Sequence, residues 1–196
     1  MEYTQKNRNI NIRRTFKNKD YNSNDGMLTS IWGPPLWHVL HSMSFNYPVN
    51  PTPEDKKHYR DFIISLKWTL PCGKCRNNLV NNFKKLPLKK QHLKSRNTFS
   101  KYIYDLHEHI NKMLGKSSGL SYEDVRERYE HFRSRCIKID QNKSKGIENL
   151  KIENGCVKPL YGKKSKCVLK IIPSDTKCES LEIDDKCINN AIVDVM

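Results

Sequence analysis

Apolar residues between positions 33 and 136 recur three and four apart, in blocks that proline or glycine separates. Gly33-Pro34-Pro35 launches the first block (Leu36, Trp37, Leu40, Met43), which runs to Pro48. Pro35 suits a first helical turn, where its missing N–H would find no partner in any case. The second block (Tyr59, Phe62, Ile63, Leu66, Leu70) follows Thr52, a natural N-cap, with Pro53 at N1 and Asp55 at N3. Pro71 ends it, because proline disfavours the α conformation in the residue before it. A third helix opens at Cys72, carries Leu79, Val80 and Phe83, and stops near Lys85, ahead of Pro87. After a loop from Leu86 to Arg96, a fourth spans about Asn97 to Leu114, with Phe99, Tyr102, Ile103, Leu106 and Ile110 on its apolar face and Gly115 as its stop. Ser121, with Asp124 three residues on, caps a fifth helix ending near Cys136. No strand alternation competes in this range. The pattern predicts an all-α fold, a four-helix bundle plus a short fifth helix, with a less regular C-terminal tail.

The flanks differ in kind. Residues 1–30 read as a flexible basic arm rich in Asn, Lys and Arg, and residues 137–196 as a cysteine-containing extension with short apolar runs such as Val168–Ile172. No run of 18 apolar residues is present, so no membrane span is expected, and the N-terminus lacks the apolar stretch of a secretory signal. The net charge of +15 sits mostly on the central part: residues 31–136 hold 19 Lys/Arg against 9 Asp/Glu, the remainder to the C-terminus 11 against 9. Much of that excess lies between Lys84 and Arg96. Aromatic residues do not interleave with these lysines as base-stacking platforms would, which argues against nucleic acid. A solvated loop, a phosphate-bearing cofactor or an acidic partner all fit.

Candidate chemistry centres on Cys72-Gly73-Lys74-Cys75. At a helix start, unpaired N–H groups and the helix dipole favour thiolate, and two cysteines at this spacing can close a disulfide. Three readings fit these residues alone: a redox dithiol, half of a zinc site, or two buried cysteines. A zinc site needs two more ligands, and no second CxxC or H-x3–5-H pair stands at finger spacing. The other cysteines (Cys136, Cys156, Cys167, Cys178 and Cys187) bring the count to seven, so a monomer cannot pair them all. Trp37 and His41 share a helix face, as do His107 and Asn111. In isolation such pairs are ordinary core packing.

Together the motifs say more. Trp37-x-x-Leu40-His41, Pro51-Thr52-Pro53-Glu54, Leu70-Pro71-Cys72-Gly73-Lys74-Cys75 and His107-Glu108-His109-Ile110-Asn111 occur in that order. The chain resembles the Erv/ALR family of FAD-linked sulfhydryl oxidases, most of all the branch encoded by large DNA viruses, over residues 31–136. The resemblance implies FAD at one end of the bundle and usually a homodimer. It places Gly33, Trp37, His41, His107, Asn111, Lys116 and Tyr129 near the cofactor, with Cys75 against the isoalloxazine and Cys72 facing substrate. It further implies reduced protein thiols or a thioredoxin-like dithiol protein as substrate, molecular oxygen as acceptor, no metal, and the host cytoplasm or virion as location. Three departures stand out. Glu108 replaces the family's Asn, the N-terminal arm carries no shuttle cysteines, and no cysteine near Tyr104 or Leu120-Ser121 can staple the fourth helix to the following turn, as cellular relatives often do. A zinc-stabilised helical binding module remains the rival.

Overall fold

In the computed structural model, residues 17–138, 152–177 and 182–188 are described. The helices are α1 (Asn18–Tyr21), α2 (Thr29–Phe45), α3 (Pro53–Thr69), α4 (Gly73–Lys85), α5 (Arg96–Met113) and α6 (Tyr122–Glu130). Helices α2 to α5 form the bundle, with α2 against α5 and α3 against α4, and α6 lies across α2 and α5. The expected caps hold. Thr52 accepts the N–H of Asp55 while the Asp55 carboxylate accepts from Thr52, and Ser121 and Asp124 repeat that reciprocal box. Gly115 closes α5 at φ +68°, a conformation that glycine adopts without a Cβ penalty.

The core is a cluster of Leu40, Tyr47, Ile63, Leu88, Leu93, Phe99, Tyr102, Ile103 and Leu106. Its polar edges are all bonded: the Tyr47 hydroxyl donates to Leu93 O (2.9 Å), and Tyr102 to Leu86 O (3.0 Å). Phe62 departs from the expected stripe and stands 38% exposed, on the rim of α3 rather than in the core. The Leu86–Arg96 segment is not a plain loop. Leu88 and Leu93 are buried, a 3-10 turn forms at Lys90–Leu93, and the lysines stay in water while Arg96 Nε donates to Tyr47 O at 2.7 Å. The Tyr104 hydroxyl donates to Leu120 O at 2.7 Å, tying α5 to the turn before α6.

Two further expectations are corrected. Helix α2 starts at Thr29, not at Gly33-Pro34-Pro35, so both prolines lie inside it. The extra turn is held from outside: Leu28 O accepts the N–H groups of Ile31 and Trp32, and the Trp32 indole N–H donates to Met27 O at 3.0 Å. Within the arm, α1 forms and Met27 N–H donates to Pro71 O at 2.8 Å; residues 1–16 lie outside the described residues. Finally, α6 ends at Glu130, and Cys136 lies in strand β1 (Ser134–Lys138), which pairs antiparallel with β2 (Ile152–Pro159). Arg133 explains the switch. Its guanidinium is held by Glu130 and by Phe45 O, while its carbonyl accepts from Leu160 N–H at 2.8 Å, so the chain leaves the helix into a ladder. The 136/137 boundary therefore falls within β1.

Candidate functional site

The Cys72–Cys75 pair is built by a stop and a start. Leu70, ahead of Pro71, is extended at ψ 135°, which ends α3; Cys72 is extended as well and serves as the N-cap of α4. Its sulfur accepts the N–H of Cys75 at 3.2 Å, as a capping serine oxygen would. Only Cys75 lies inside the first turn, at N3; Cys72 sits one step outside. The two form a disulfide with a Cα–Cα separation of 5.2 Å, inside the range such bridges span. Both are half-buried, but Cys72 and not Cys75 lines a cleft of about 280 Å³ beside Pro71, Gly73 and Arg76. Any charge left on either sulfur when the bridge opens faces the positive end of α4.

A second constellation lies where α2, α5 and α6 meet. Trp37 and His107 stack at 3.9 Å with planes 9° apart, and His41 Nε2 shares a hydrogen bond with His107 Nδ1 at 3.0 Å. Tyr129 joins from α6, 5.3 Å from the His41 ring and 5.4 Å from Phe45, with its hydroxyl 3.2 Å from His38 Nδ1. Burial pushes His41 down to about 3, helped by the neighbouring His107 and His38, and pushes His107 down to about 4. Burial raises Tyr129 to about 12. At neutral pH His41, His107 and Tyr129 are therefore uncharged, and of the two bonded imidazoles one must donate to the other. His41 Nδ1 is buried with no partner, and so is His109 Nε2. Buried polar atoms are almost always bonded, so these nitrogens stand out among the described residues.

The fold thus gathers Trp37, His41, His107 and Tyr129. Asn111 lies one turn beyond His107, with its amide donating to Glu108 Oε1 at 2.9 Å, so the unusual Glu108 orients it. Lys116 is bonded through its backbone N–H to Asn111 O (2.8 Å) and leaves its ammonium exposed just past the end of α5. Gly33 joins neither group; a Cβ there would meet only Thr29 Cγ2, at 3.8 Å. No hydrogen bond or ring contact links the Cys72–Cys75 pair to the aromatic cluster among the described residues. His38, Phe45 and Phe132 belong to the cluster but escape a sequence reading, because nothing local distinguishes them from other positions on α2 or after α6. Among the described residues, no three His, Cys, Asp or Glu side chains converge as a metal site. Nor is any helix among them long and apolar enough to cross a membrane. In the extension, Cys156 is disulfide-bonded and Cys167 and Cys187 are free thiols; the Cys136 and Cys178 side chains lie outside the described residues.

A sequence profile of the Erv1 / Alr family matches residues 34–130. A probable FAD-linked sulfhydryl oxidase of Acanthamoeba polyphaga mimivirus is 39% identical over 99 residues, covering 50% of this chain and 68% of that protein. A putative FAD-linked sulfhydryl oxidase of Invertebrate iridescent virus 6 is 32% identical over 90 residues, covering 44% and 81%. The crystal structure of the yeast Erv1 core aligns at 21% identity with a TM-score of 0.48, covering 62% of this chain and 95% of that one.

Proposed function

The chain belongs to the Erv1 / Alr family, and from that premise we propose that it is an FAD-dependent thiol oxidase that forms disulfides in protein substrates. The observation that carries this reading is the Cys72–Cys75 disulfide, closed at the start of α4 with Cys72 on an open cleft. A substrate thiolate attacks the Cys72 sulfur; the bond between Cys72 and Cys75 breaks, and Cys75 leaves as a thiolate at N3, where the helix start stabilises it. A second substrate thiolate attacks the substrate sulfur of the mixed disulfide, and Cys72 leaves with the electron pair. Two substrate thiols have then lost two electrons and two protons, and the pair holds the electrons as a dithiol.

The aromatic cluster fits FAD. It offers a flat wall in Trp37 and Tyr129, the uncharged imidazoles of His41 and His107, an unpaired nitrogen in His41 Nδ1, and a solvent-facing cation in Lys116 for phosphate. Trp37, His41, His107, Asn111, Lys116 and Tyr129 would hold the cofactor, with Gly33 and Cys75 completing the set that the family suggests. FAD bound there would supply a two-electron acceptor for the reduced pair, with molecular oxygen as the final oxidant and hydrogen peroxide as the product. The part of His41 and His107 is to stay neutral: imidazoles held below the neutral range add no fixed cation and exchange hydrogen bonds without net charge.

In this reading residues 31–136 are the oxidase unit, carrying the arm 1–30 and the extension 137–196. The unit works as a homodimer on reduced protein thiols or a thioredoxin-like dithiol protein, in the host cytoplasm or virion. The purified protein should be yellow, contain about one FAD per chain and consume oxygen when given dithiothreitol. A colourless protein with stoichiometric zinc overturns this in favour of a metal-stabilised module.

A further inference from the structure

The cleft beside Cys72 has two walls, and only one belongs to the bundle. The other is the extended segment Ser23–Met27, ahead of α2. This segment is fixed at two points: Met27 N–H donates to Pro71 O at 2.8 Å, and Met27 O accepts the Trp32 indole N–H at 3.0 Å. Its approach to the redox pair depends on Gly26. A Cβ at that position would lie 2.9 Å from Pro71 O and 3.1 Å from Cys72 Cα, closer than a side chain tolerates against backbone. The strap therefore lies directly on the peptide bond that carries Cys72.

The lining of the cleft decides what it receives. Asn24 and Asp25 on the strap side and Arg76 on the α4 side line it together with Cys72, so the residues around it are mostly polar. Such a lining suits the hydrogen-bonding main chain of an extended polypeptide better than an apolar helix. We propose that Ser23–Met27 is the second wall of the substrate-thiol site and selects cysteines carried on extended polypeptide over small dithiols. A small dithiol needs only the sulfur; a polypeptide must lie between the strap and α4. The proposal rests on the oxidase reading and adds to it where specificity resides.

The test uses the full, FAD-loaded chain and the ratio of kcat/KM for reduced, unfolded ribonuclease to kcat/KM for dithiothreitol. Gly26→Val pushes the strap off Pro71 and should lower that ratio about tenfold, as misplacement of a docking wall by about an ångström allows. Trp32→Phe removes the indole donor, keeps an aromatic ring and Gly26, and should lower it about threefold, the effect of roughly one hydrogen bond. The second variant also answers the question if the first does not fold. A ratio within about twofold of wild type in the folded variants overturns the proposal, whether both activities fall together or neither does. Wild-type protein that does not oxidise dithiothreitol overturns the oxidase reading itself.

Discussion

Cys72 and Cys75 come from four consecutive residues and meet within one helical turn, whereas His41 and His107 are 66 residues apart and His38 and Tyr129 are 91. The first region is half-exposed and needs little beyond its own helix start. The second has an interior part in His41 and Phe45, is drawn from α2, α5 and α6, and exists only when those helices pack. The contrast separates two jobs of an electron-transfer site. A disulfide that must meet external thiols needs access and a locally stabilised thiolate. A pocket for an aromatic cofactor needs enclosure, flat walls and suppressed charge. Removing parts from each region should therefore produce different losses: activity without collapse in the first, binding together with stability in the second.

The largest effect belongs to the local region. Cys72→Ser and Cys75→Ser should each lower dithiol oxidation by about a thousandfold or more, because neither can close the bridge, while flavin content stays close to wild type. Non-reducing electrophoresis sharpens the roles. Cys75→Ser keeps the cleft-lining Cys72 as a lone thiol, which should attack a disulfide-bearing protein, expel one of its sulfurs as a thiolate and accumulate as a mixed disulfide that no neighbouring thiol resolves; Cys72→Ser should not. The opposite pattern would reverse the assignment.

Breaking the distributed region should instead lower cofactor content. The double variant His107→Ala/Asn111→Ala should purify with little FAD and melt several degrees lower. A ligand held at a hundred times its Kd adds about 2.7 kcal/mol to the native state, and that contribution goes with the ligand. Unchanged flavin absorbance in this variant would remove His107 and Asn111 from the pocket.

Acid separates the regions again. His41 and His107 titrate near 3 and 4 when folded, against about 6.5 when unfolded. Between those values the unfolded chain binds protons that the folded one does not, so stability falls as pH drops below about 6.5, by up to about 1.4 kcal/mol per pH unit for each histidine. Glu130, held low by its bonds to Arg133, adds its own loss as pH falls from the ordinary glutamate value toward its lower folded one. Melting temperatures between pH 7 and 5 should show the histidine slope, and His41→Gln should flatten it. A slope unchanged in that variant would mean that His41 is not the buried neutral group.

The smallest effect tests whether α6 matters to the cluster. Ser121→Ala removes the side-chain oxygen that accepts Asp124 N–H and should cost about 1 kcal/mol in urea unfolding. Because Tyr129 rides on α6, flavin affinity should weaken alongside stability, while the exchange of Cys72–Cys75 with small thiols should not change.

What the sequence determined by itself are the features whose cause lies within about four residues: the boxes of Thr52 with Asp55 and Ser121 with Asp124, the glycine stop at Gly115, and the proline that ends α3 so that Cys72 can cap α4. The Trp37–His41 and His107–Asn111 pairs were legible as shared faces, and the order of the motifs pointed to their common destination. Tertiary structure decided the rest. His38 and Phe45 enter the cluster because α6 delivers Tyr129 to them, and β1 forms because a segment beyond residue 150 supplies its hydrogen bonds. Helix α2 gains a turn ahead of its prolines because Trp32 reaches back to Met27. Gly26, one glycine among eight in the sequence, became legible only when Pro71 and Cys72 were found against it. A helix cap is written in its neighbours, but a strand, a strap or a shared pocket waits for a partner that only the folded chain brings within reach.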